Sequence, residues 1–326
     1  MSARWTWHGG GIDAARRAFG EGDAPWIDLS TGINPHPWPG VEALTIDWCS
    51  LPGRDALADL EAAAAAYFGV DPRHVCAVPG TEIGLRLAGS LVGGSARYVA
   101  PTYRTHGEMV PGARPIAPEA LAGECGTLIL ANPNNPDGYI RPRDALTALL
   151  DARAPDGWLM LDEAFADTDP ALSLTDQIAD DRRLLIFRSF GKFFGLAGVR
   201  LGFVLGPAAI LERLRGALGA WPVSAAAIAI GAAAYRDSGW IQAMRCRLPA
   251  EAAALDAVLA RHGHVATGGS PLFRLIEVDD GIALFERLAR HAILTRPFAE
   301  QPRWLRIGLP ADGAALDRLD AALADG

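Results

Sequence analysis

The sequence has few cysteines, and none of them is placed where a metal site or a redox motif would need it. The chain of 326 residues contains four, scattered along its length: Cys49, Cys76, Cys125 and Cys246. Cysteines paired at short spacing are typical of zinc sites and thioredoxin-like motifs. Their absence predicts no metal centre, and it favours reduced thiols in a cytoplasmic protein.

Long hydrophobic runs and an excess of positive charge are also missing. Residues 1–8 contain no apolar core of signal-peptide length, and the alanine-rich stretches 62–66 and 224–234 are too short or too interrupted to span a bilayer. The formal net charge of −8 argues against general nucleic-acid binding and against adhesion to an anionic membrane. It leaves room for a local cationic pocket that binds a small anion.

Half of the residues are hydrophobic, which is enough for a large buried core. The composition shifts near residue 207, where an alanine-rich helical region begins that is expected to break near Trp221 and Pro222. We predict three parts: an N-terminal arm at 1–40 that packs on the small domain, a large domain at 41–215, and linking helices with a small C-terminal α+β domain at 216–326.

Short apolar runs alternate with helical stretches through the middle of the chain. Strands are predicted at Ala96–Ala100, Thr127–Ala131, Trp158–Leu161, Leu184–Phe187 and Phe203–Leu205. Runs of this kind are typical of strands buried on both faces, so the predicted fold class is α/β, with a mostly parallel sheet flanked by helices. The small domain is predicted to contain strands near 272–278, 292–294 and 304–307, and helices near 281–290 and 313–324. Ligands bind at the carboxyl ends of such parallel strands, and the polar motifs of this chain follow those ends.

The most informative motif is Ser189-Phe190-Gly191-Lys192, with Arg200 eight positions after the lysine. A lysine close to a buried strand is desolvated, which lowers its pKa and frees its amine as a nucleophile. A nearby serine hydroxyl and an arginine can hold a phosphate. The alternative interpretation of this motif alone is a surface loop with two ordinary cations.

Two other strand ends carry polar residues. Asp162 ends the strand Trp158–Leu161, where its carboxylate could pair with a protonated pyridine nitrogen or simply cap a helix. The segment 132–138, with sequence Asn-Pro-Asn-Asn-Pro-Asp-Gly, follows the strand Thr127–Ala131 and could also be a plain turn.

Together, and in this order, these motifs resemble the fold-type-I pyridoxal 5′-phosphate enzymes, the aspartate aminotransferase superfamily. The resemblance covers about residues 8–310 and implies a seven-stranded type of sheet. It implies that Lys192 forms the Schiff base with the cofactor and that Asp162 pairs with the pyridinium nitrogen. It also implies that Asn135 hydrogen-bonds the phenolic oxygen of the cofactor.

The same resemblance implies a phosphate site and a stacking residue. Ser189 and Arg200 match the family's phosphate ligands, and Gly80-Thr81-Glu82 resembles a glycine-led helix start whose backbone N–H groups face the phosphate. Tyr103 matches the aromatic residue that stacks on the cofactor ring. Taken alone, these residues would equally fit an ordinary capped helix and simple packing after a strand.

The N-terminal arm narrows the resemblance. His8-Gly9-Gly10-Gly11 is followed by Ser30-Thr31-Gly32-Ile33-Asn34-Pro35, a pair of segments similar to those of the threonine-phosphate decarboxylases of cobalamin biosynthesis. Phe165 points the same way, because most aminotransferases of the superfamily carry tyrosine there. The implied reaction is decarboxylation of O-phospho-L-threonine to (R)-1-aminopropan-2-yl phosphate. The alternative is an aminotransferase of the histidinol-phosphate type, which would use the same cofactor residues.

Such a substrate carries a carboxylate and a phosphate, so its pocket needs cations. Arg306 matches the family arginine that we assign mainly to the carboxylate, and Arg296 the one that we assign mainly to the phosphate, although the two could share. The remaining substrate-binding residues implied by the resemblance are His8, Gly9, Gly32 and Asn135.

One departure from the family concerns the subunit interface. Where this chain has Leu51-Pro52, many relatives have a Tyr-Pro pair. The tyrosine of that pair reaches the cofactor phosphate in the partner subunit. Leucine cannot make that contact. A homodimer is nevertheless expected from the family. A regulator that binds the cofactor without turnover is a less suitable interpretation, because the chain retains Lys192 and has no room for an added DNA-binding domain. No nucleic-acid or membrane partner is expected.

Overall fold

The helices and strands of the computed structural model fall into two contact units. The structure describes residues 3–6, 9–22 and 24–325. The smaller unit takes in residues up to His36, Pro136–Tyr139 and Met244 onwards, and the larger unit takes in Pro37–Asn135 and Ile140–Ala243. The domain boundaries expected from the sequence stay a prediction.

The helices, in chain order, are α1 Ala3–Thr6, α2 Ile12–Phe19, α3 Arg54–Phe68, α4 Thr81–Val92, α5 Thr105–Glu108, α6 Arg143–Asp151, α7 Phe190–Phe193, α8 Ala208–Leu218, α9 Ala225–Arg236, α10 Ser238–Arg261, α11 Gly281–Arg290 and α12 Gly313–Ala324. The strands are β1 Ile27–Asp28, β2 Val75–Val78, β3 Ala96–Val99, β4 Arg114–Ile116, β5 Thr127–Ala131, β6 Leu159–Asp162, β7 Leu184–Ser189, β8 Gly202–Leu205, β9 Ala266–Thr267, β10 Phe273–Glu277, β11 Ile293–Leu294, β12 Arg296–Pro297 and β13 Trp304–Gly308.

The larger unit is built on a seven-stranded sheet with the order β2-β8-β7-β6-β5-β3-β4. Five strands, β7 to β4 in that order, pair in parallel, whereas β8 runs antiparallel to both of its neighbours, β2 and β7. The central strands are buried along their whole length, as the apolar runs indicate. The predicted α/β class with a mostly parallel sheet is therefore confirmed.

Two strands of this sheet, β2 and β4, were not predicted from the sequence, and both are edge strands. β2 is only four residues long and lies at one edge. β4 forms the opposite edge, is mostly exposed and contains Pro115. Proline is confined to edge strands because it cannot donate to the ladder, so such a strand carries little of the usual sequence signal. The alanine-rich region breaks after α8, around Trp221 and Pro222, as expected, and a second time at Asp237.

The smaller unit contains an antiparallel sheet of four strands with the order β12-β13-β10-β9. A separate parallel pair joins β1 of the N-terminal segment to β11. Aromatic rings add to this connection, because Phe285 of α11 packs against Trp5 and Phe19 with centroid separations of 5.5 and 6.0 Å. The N-terminal segment is thus held by both strand pairing and side-chain packing within this unit.

No helix in the described part of the chain combines the length and apolar character needed to cross a bilayer.

A pair of helical glycines tests the packing of the larger unit. Alanine favours helices over glycine by up to about 1 kcal/mol, yet a Cβ at Gly89 of α4 would overlap the carbonyl group of Met109. We expect Gly89→Ala to lower the free energy of unfolding by about 1–3 kcal/mol through overpacking.

The matched control is Gly216→Ala in α8, where a Cβ would have no neighbour within 4 Å. This change should leave stability unchanged or raise it by up to about 1 kcal/mol. Denaturant unfolding of the two variants measures the contrast, and equal behaviour would contradict the close approach of α4 to Met109.

Candidate active site

Three neighbouring parallel strands of the larger unit end beside one another and carry the polar residues singled out by the sequence. Ala131, the last residue of β5, pairs with Asp162, the last residue of β6, and Asp162 pairs with Phe187 of β7. Ser189 ends β7 two residues later. The ends of parallel strands are where an α/β sheet binds its ligands.

Asp162 is buried and already committed to two hydrogen bonds. One carboxylate oxygen accepts from the backbone N–H of Ala164 at 3.0 Å, and the other lies 3.0 Å from Nε2 of His106. Asp162 therefore ends β6 and holds the turn that follows it, and it does not cap a long helix. A buried carboxylate held from two sides is a suitable partner for a protonated ring nitrogen.

His106 is a site residue that the sequence reading missed. It is fully buried in α5, and its second ring nitrogen, Nδ1, lies 2.8 Å from the hydroxyl of Thr102. The Thr102 hydroxyl is also 3.3 Å from the side-chain oxygen of Asn134. The sequence offers one local indication of a role for His106, namely that it follows Tyr103 by three residues. In the structure the two rings meet edge-on, with their centroids 5.9 Å apart. His106 orients Asp162, and through Thr102 it connects that carboxylate to the loop after β5.

The loop after β5 is held more firmly than a plain turn. The side-chain oxygen of Asn132 accepts from the backbone N–H of Arg141 at 2.8 Å, and its amide donates to the carbonyl of the same residue at 3.3 Å. The Asn134 amide donates to the carbonyl of Pro101 at 3.0 Å. Asn135, the predicted cofactor ligand, is half-buried within this fixed segment.

Glu82 makes its side-chain contacts away from the predicted phosphate site. Its carboxylate accepts hydrogen bonds from the hydroxyls of Tyr103 at 3.0 Å and Thr105 at 2.8 Å, and from Arg86 at 2.6 Å. Partial burial acts to raise the pKa of Glu82, but these three donors hold it below its usual value. Glu82 can therefore contribute only its backbone to an anion site, while its side chain fixes the tilt of Tyr103.

The beginning of α4, the end of β7 and Arg200 converge on one small space. Gly80 caps α4 with φ of +89°, and a Cβ there would lie 2.8 Å from Nη2 of Arg200. Gly202 pairs with Ser189, and a Cβ on Gly202 would lie 2.7 Å from the backbone nitrogen of Thr81. A helix N-terminus that faces a guanidinium and a hydroxyl fits the phosphate of pyridoxal phosphate.

Lys192 lies one turn beyond Ser189, in α7. The lysine is half-buried, and its Nζ lies 5.8 Å from the ring centroid of Phe165. On either side of it Phe190 and Phe193 are buried, so the backbone that carries Lys192 is fixed by core packing. An amine beside an aromatic ring and close to a buried strand has the desolvated surroundings that a nucleophilic lysine needs.

The smaller unit places two predicted substrate cations opposite each other. Arg296 of β12 pairs with Arg306 of β13 in the antiparallel ladder. Arg306 is buried, lies 5.1 Å over the ring of Phe273 and donates to the carbonyl of Ser30 at 2.8 Å. Burial and, to a smaller extent, the charge of Arg296 lower the pKa of the Arg306 guanidinium to about 9, against the opposing effect of Asp28. Like charges opposite each other are unfavourable, and a bound anion would relieve them.

The glycine-rich arm also meets Ser30. A Cβ on Gly9 would overlap the Ser30 carbonyl, and the backbone N–H of Gly10 donates to the Ser30 hydroxyl at 2.8 Å. Gly9 and Arg306 are therefore both brought to Ser30, and Gly32 is buried two residues further on. His8, the remaining predicted ligand in this arm, lies outside the described residues.

Comparisons with known proteins agree with this geometry. The family described as aminotransferase class I and II matches residues 113–321. A threonine-phosphate decarboxylase from Sinorhizobium sp. is 39% identical over 97% of this chain and 97% of its own length. Another from Pseudomonas aeruginosa is 39% identical over 97% of this chain and 96% of its own length.

A solved structure shows the same fold. Histidinol-phosphate aminotransferase from Sinorhizobium meliloti, in complex with pyridoxal-5′-phosphate, aligns with a TM-score of 0.83 at 22% identity, over 96% of this chain and 93% of that one.

Gly80 tests the phosphate site directly. In Gly80→Ala the new methyl group would displace the guanidinium of Arg200, so affinity for pyridoxal phosphate should fall by about tenfold to a hundredfold, the effect of a lost charge-assisted hydrogen bond. Fluorescence or absorbance titration of the apoenzyme measures this affinity.

The control is Gly69→Ala, at the end of α3. Gly69 also has a positive φ, +71°, but a Cβ there would meet nothing within 4 Å. It should cost about 1–2 kcal/mol of folding stability through backbone strain while leaving cofactor affinity intact. Equal affinities for the two variants would show that Gly80 is only a backbone requirement.

Proposed function

The chain belongs to the class I and II aminotransferases, and within that family we propose that it is a pyridoxal-phosphate-dependent carboxy-lyase acting on O-phospho-L-threonine. The product would be (R)-1-aminopropan-2-yl phosphate, an intermediate for cobalamin biosynthesis. Similarity to threonine-phosphate decarboxylases over nearly the whole chain supports this proposal, as does the chemistry of the two units.

The observation that supports a substrate with two anionic groups is the pair formed by Arg296 and Arg306. Two guanidiniums on directly paired positions, one of them buried, are costly unless anions occupy their surroundings. O-Phospho-L-threonine offers both a carboxylate and a phosphate. Histidinol phosphate offers a phosphate but no carboxylate, whereas the 2-oxoglutarate used by an aminotransferase offers two carboxylates. The arginine pair therefore supports an anionic substrate, and the similarity to threonine-phosphate decarboxylases favours O-phospho-L-threonine.

The residues of the larger unit would hold the cofactor. Ser189, Arg200 and the backbone at Gly80-Thr81 would bind its phosphate, Asn135 its phenolic oxygen, and Tyr103 its ring face. Bound pyridoxal 5′-phosphate supplies an electron-withdrawing ring that accepts the electron pair of the breaking Cα bond.

Lys192 and Asp162 would handle the protons. The Asp162 carboxylate, held by His106, would keep a proton on the ring nitrogen. Lys192 would hold the cofactor through its Nζ, and with substrate bound its amine would be available to move a proton. Lys192 would then be placed to return a proton to Cα of the substrate after CO₂ has left.

The choice of bond depends on how the substrate is held. A Cα bond breaks readily only when it stands perpendicular to the ring plane, because only then does it overlap with the conjugated system. We assign the carboxylate mainly to Arg306 and the phosphate mainly to Arg296, with His8 and the Gly9 amide closing over the phosphate. Gly32 would present backbone where a side chain would clash.

The alternative function is a histidinol-phosphate-type aminotransferase. The cofactor residues would be the same, and Lys192 would remove a proton from Cα instead of returning one after CO₂ is lost. Phe165 disfavours this alternative, because the superfamily's aminotransferases generally carry a tyrosine there.

We further propose that the enzyme is a cytoplasmic homodimer. Trp48 and Leu51 are 78% and 66% exposed in the single chain, which is unusual for large apolar side chains that follow one another so closely. Leu51 stands where relatives have the tyrosine that crosses the interface, so an apolar contact would replace that hydrogen bond.

The decisive experiment is incubation of the purified enzyme with O-phospho-L-threonine, with and without 2-oxoglutarate. We expect CO₂ release that does not require the keto acid, and no turnover by Lys192→Ala. Faster transamination of histidinol phosphate than decarboxylation of threonine phosphate would instead establish the alternative.

The phosphate-binding role of Arg296 gives a separate prediction. Arg296→Ala should reduce kcat/KM for O-phospho-L-threonine by an amount equivalent to about 2–5 kcal/mol, as for a buried charge pair that loses one partner. Turnover should fall along with affinity, because binding energy from the phosphate orients the reacting bond. The spectrum of the bound cofactor should change little.

Free L-threonine is the control substrate. It should react poorly with the parent enzyme and be little affected by the substitution. If the parent decarboxylates threonine as fast as its phosphate, the phosphate-binding role of Arg296 is wrong.

A further inference from the structure

A cluster of three charged side chains is buried within the larger unit, next in sequence to the candidate active site. Arg188, Glu163 and Asp167 have side chains that are 3%, 0% and 1% exposed. None of them belongs to the motifs that predicted the cofactor site. Charged side chains are almost never buried to this degree unless they are paired, so their retention needs a reason.

Hydrogen bonds from Arg188 connect the two carboxylates of the cluster. Arg188 donates from Nη1 to Glu163 at 3.0 Å and from Nη2 to Asp167, and its guanidinium lies 4.7 Å over the ring of Phe68. Glu163 also accepts from the hydroxyl of Ser173 and from the backbone N–H of Leu174 at 2.8 Å. The three groups therefore form one rigid unit.

Two members of the cluster are next in sequence to a residue of the cofactor site. Glu163 follows Asp162 at the end of β6, and Arg188 precedes Ser189 at the end of β7. Side chains of consecutive residues point to opposite faces of a strand. The cluster therefore connects the ends of β6 and β7 on the face of the sheet opposite to the side chains of Asp162 and Ser189. Asp167 lies two residues beyond Phe165, the ring near Lys192 Nζ.

The cluster carries two carboxylates for one guanidinium. Burial raises the pKa of Glu163, against the effects of Arg188 and Ser173. Both Glu163 oxygens nevertheless accept from groups that can only donate, Arg188 and the Leu174 N–H, which is the arrangement of an ionised carboxylate.

The other titratable groups near the cluster do not cancel the excess negative charge. Tyr67 and Tyr235 face it, and burial together with Asp167 raises the pKa of Tyr235 well above its usual value, so that phenol stays neutral. Arg143 acts on Glu163 from farther out: it donates to the backbone carbonyl of Ser173, and its charge is paired with the exposed Asp176. Within the three residues of the cluster, the carboxylates exceed the guanidinium by one negative charge.

We propose that the Arg188–Glu163–Asp167 cluster acts electrostatically on the cofactor site. Its excess negative charge stabilises the positively charged linkage between Lys192 and the cofactor. The inference rests on the proposed function, because it requires a cofactor on Lys192. In low-dielectric surroundings a fixed charge acts over several ångströms, and the cluster's hydrogen bonds keep that charge from moving away.

The test uses Glu163→Gln and Asp167→Asn, each of which removes one charge with little change of shape. The visible absorbance band of the bound cofactor is titrated with pH in each holoenzyme. Removing a negative charge disfavours the cation, so the midpoint should move to lower pH by about 0.5–1 unit, less than for an ion in direct contact. Asp59→Asn is the control, because it removes a carboxylate from an exposed ion pair with Arg236 in the same unit.

The outcomes separate this inference from the proposed function. Borohydride reduction followed by peptide mass analysis first establishes whether the parent carries the cofactor on Lys192; if it does not, the proposed function fails. If it does, a lower midpoint in the two cluster variants, with none in Asp59→Asn, supports the inference.

A fall in melting temperature with an unchanged midpoint would show that the cluster is only structural, and it would overturn the inference. Should Glu163→Gln fail to fold, Asp167→Asn alone decides, because it leaves the hydrogen bonds of Glu163 in place.

Discussion

The parallel pairing of β6 with β7 is the constraint on which the larger unit's chemistry depends. The register of this pairing places Asp162 opposite Phe187. It thereby fixes the distance along the sheet between the Asp162 carboxylate at the end of β6 and Ser189 at the end of β7. One residue of slip would exchange the two faces of a strand. Asp162 would then turn towards Phe68 and the core, and Glu163 would turn towards the cofactor. The buried pairing of Arg188 with Glu163 resists such a slip, because it satisfies both charges in only one register.

In the smaller unit the paired charges have the same sign, because Arg296 lies opposite Arg306. A like-charged pair directly across two strands is destabilising. Arg306 is kept in place by the Ser30 carbonyl and the Phe273 ring, and Asp28 offsets part of the repulsion. A carboxylate or phosphate ligand would turn this unfavourable arrangement into a favourable one. Under the proposed function, the unit would give up some stability without ligand and recover it on binding.

Much of the fold could be predicted because its signals are local. Buried strands such as β5 are continuous apolar runs, and the helices α11 and α12 have the residue bounds that the sequence indicates. The edge strand β4 could not be found in this way, since an exposed strand with a proline has no apolar pattern. The motif residues were found because they lie just after predicted strands. His106, Arg188 and Glu163 were not, because their partners are 56 and 25 residues away in the sequence and only the sheet brings them together.

The division of labour between the units bears on reaction type. Lys192, Asp162 and the phosphate ligands would serve decarboxylation and transamination equally, so the larger unit alone cannot select between them. Selection requires that one of the bonds at Cα be fixed in orientation, and only groups that grip the substrate's carboxylate and phosphate can do that. Under the proposed function those groups are Arg306, Arg296 and the arm that meets Ser30. The way these cations are held would then decide which reaction occurs. The packing of Arg306 against Phe273 would affect that choice as directly as a residue that touches the cofactor.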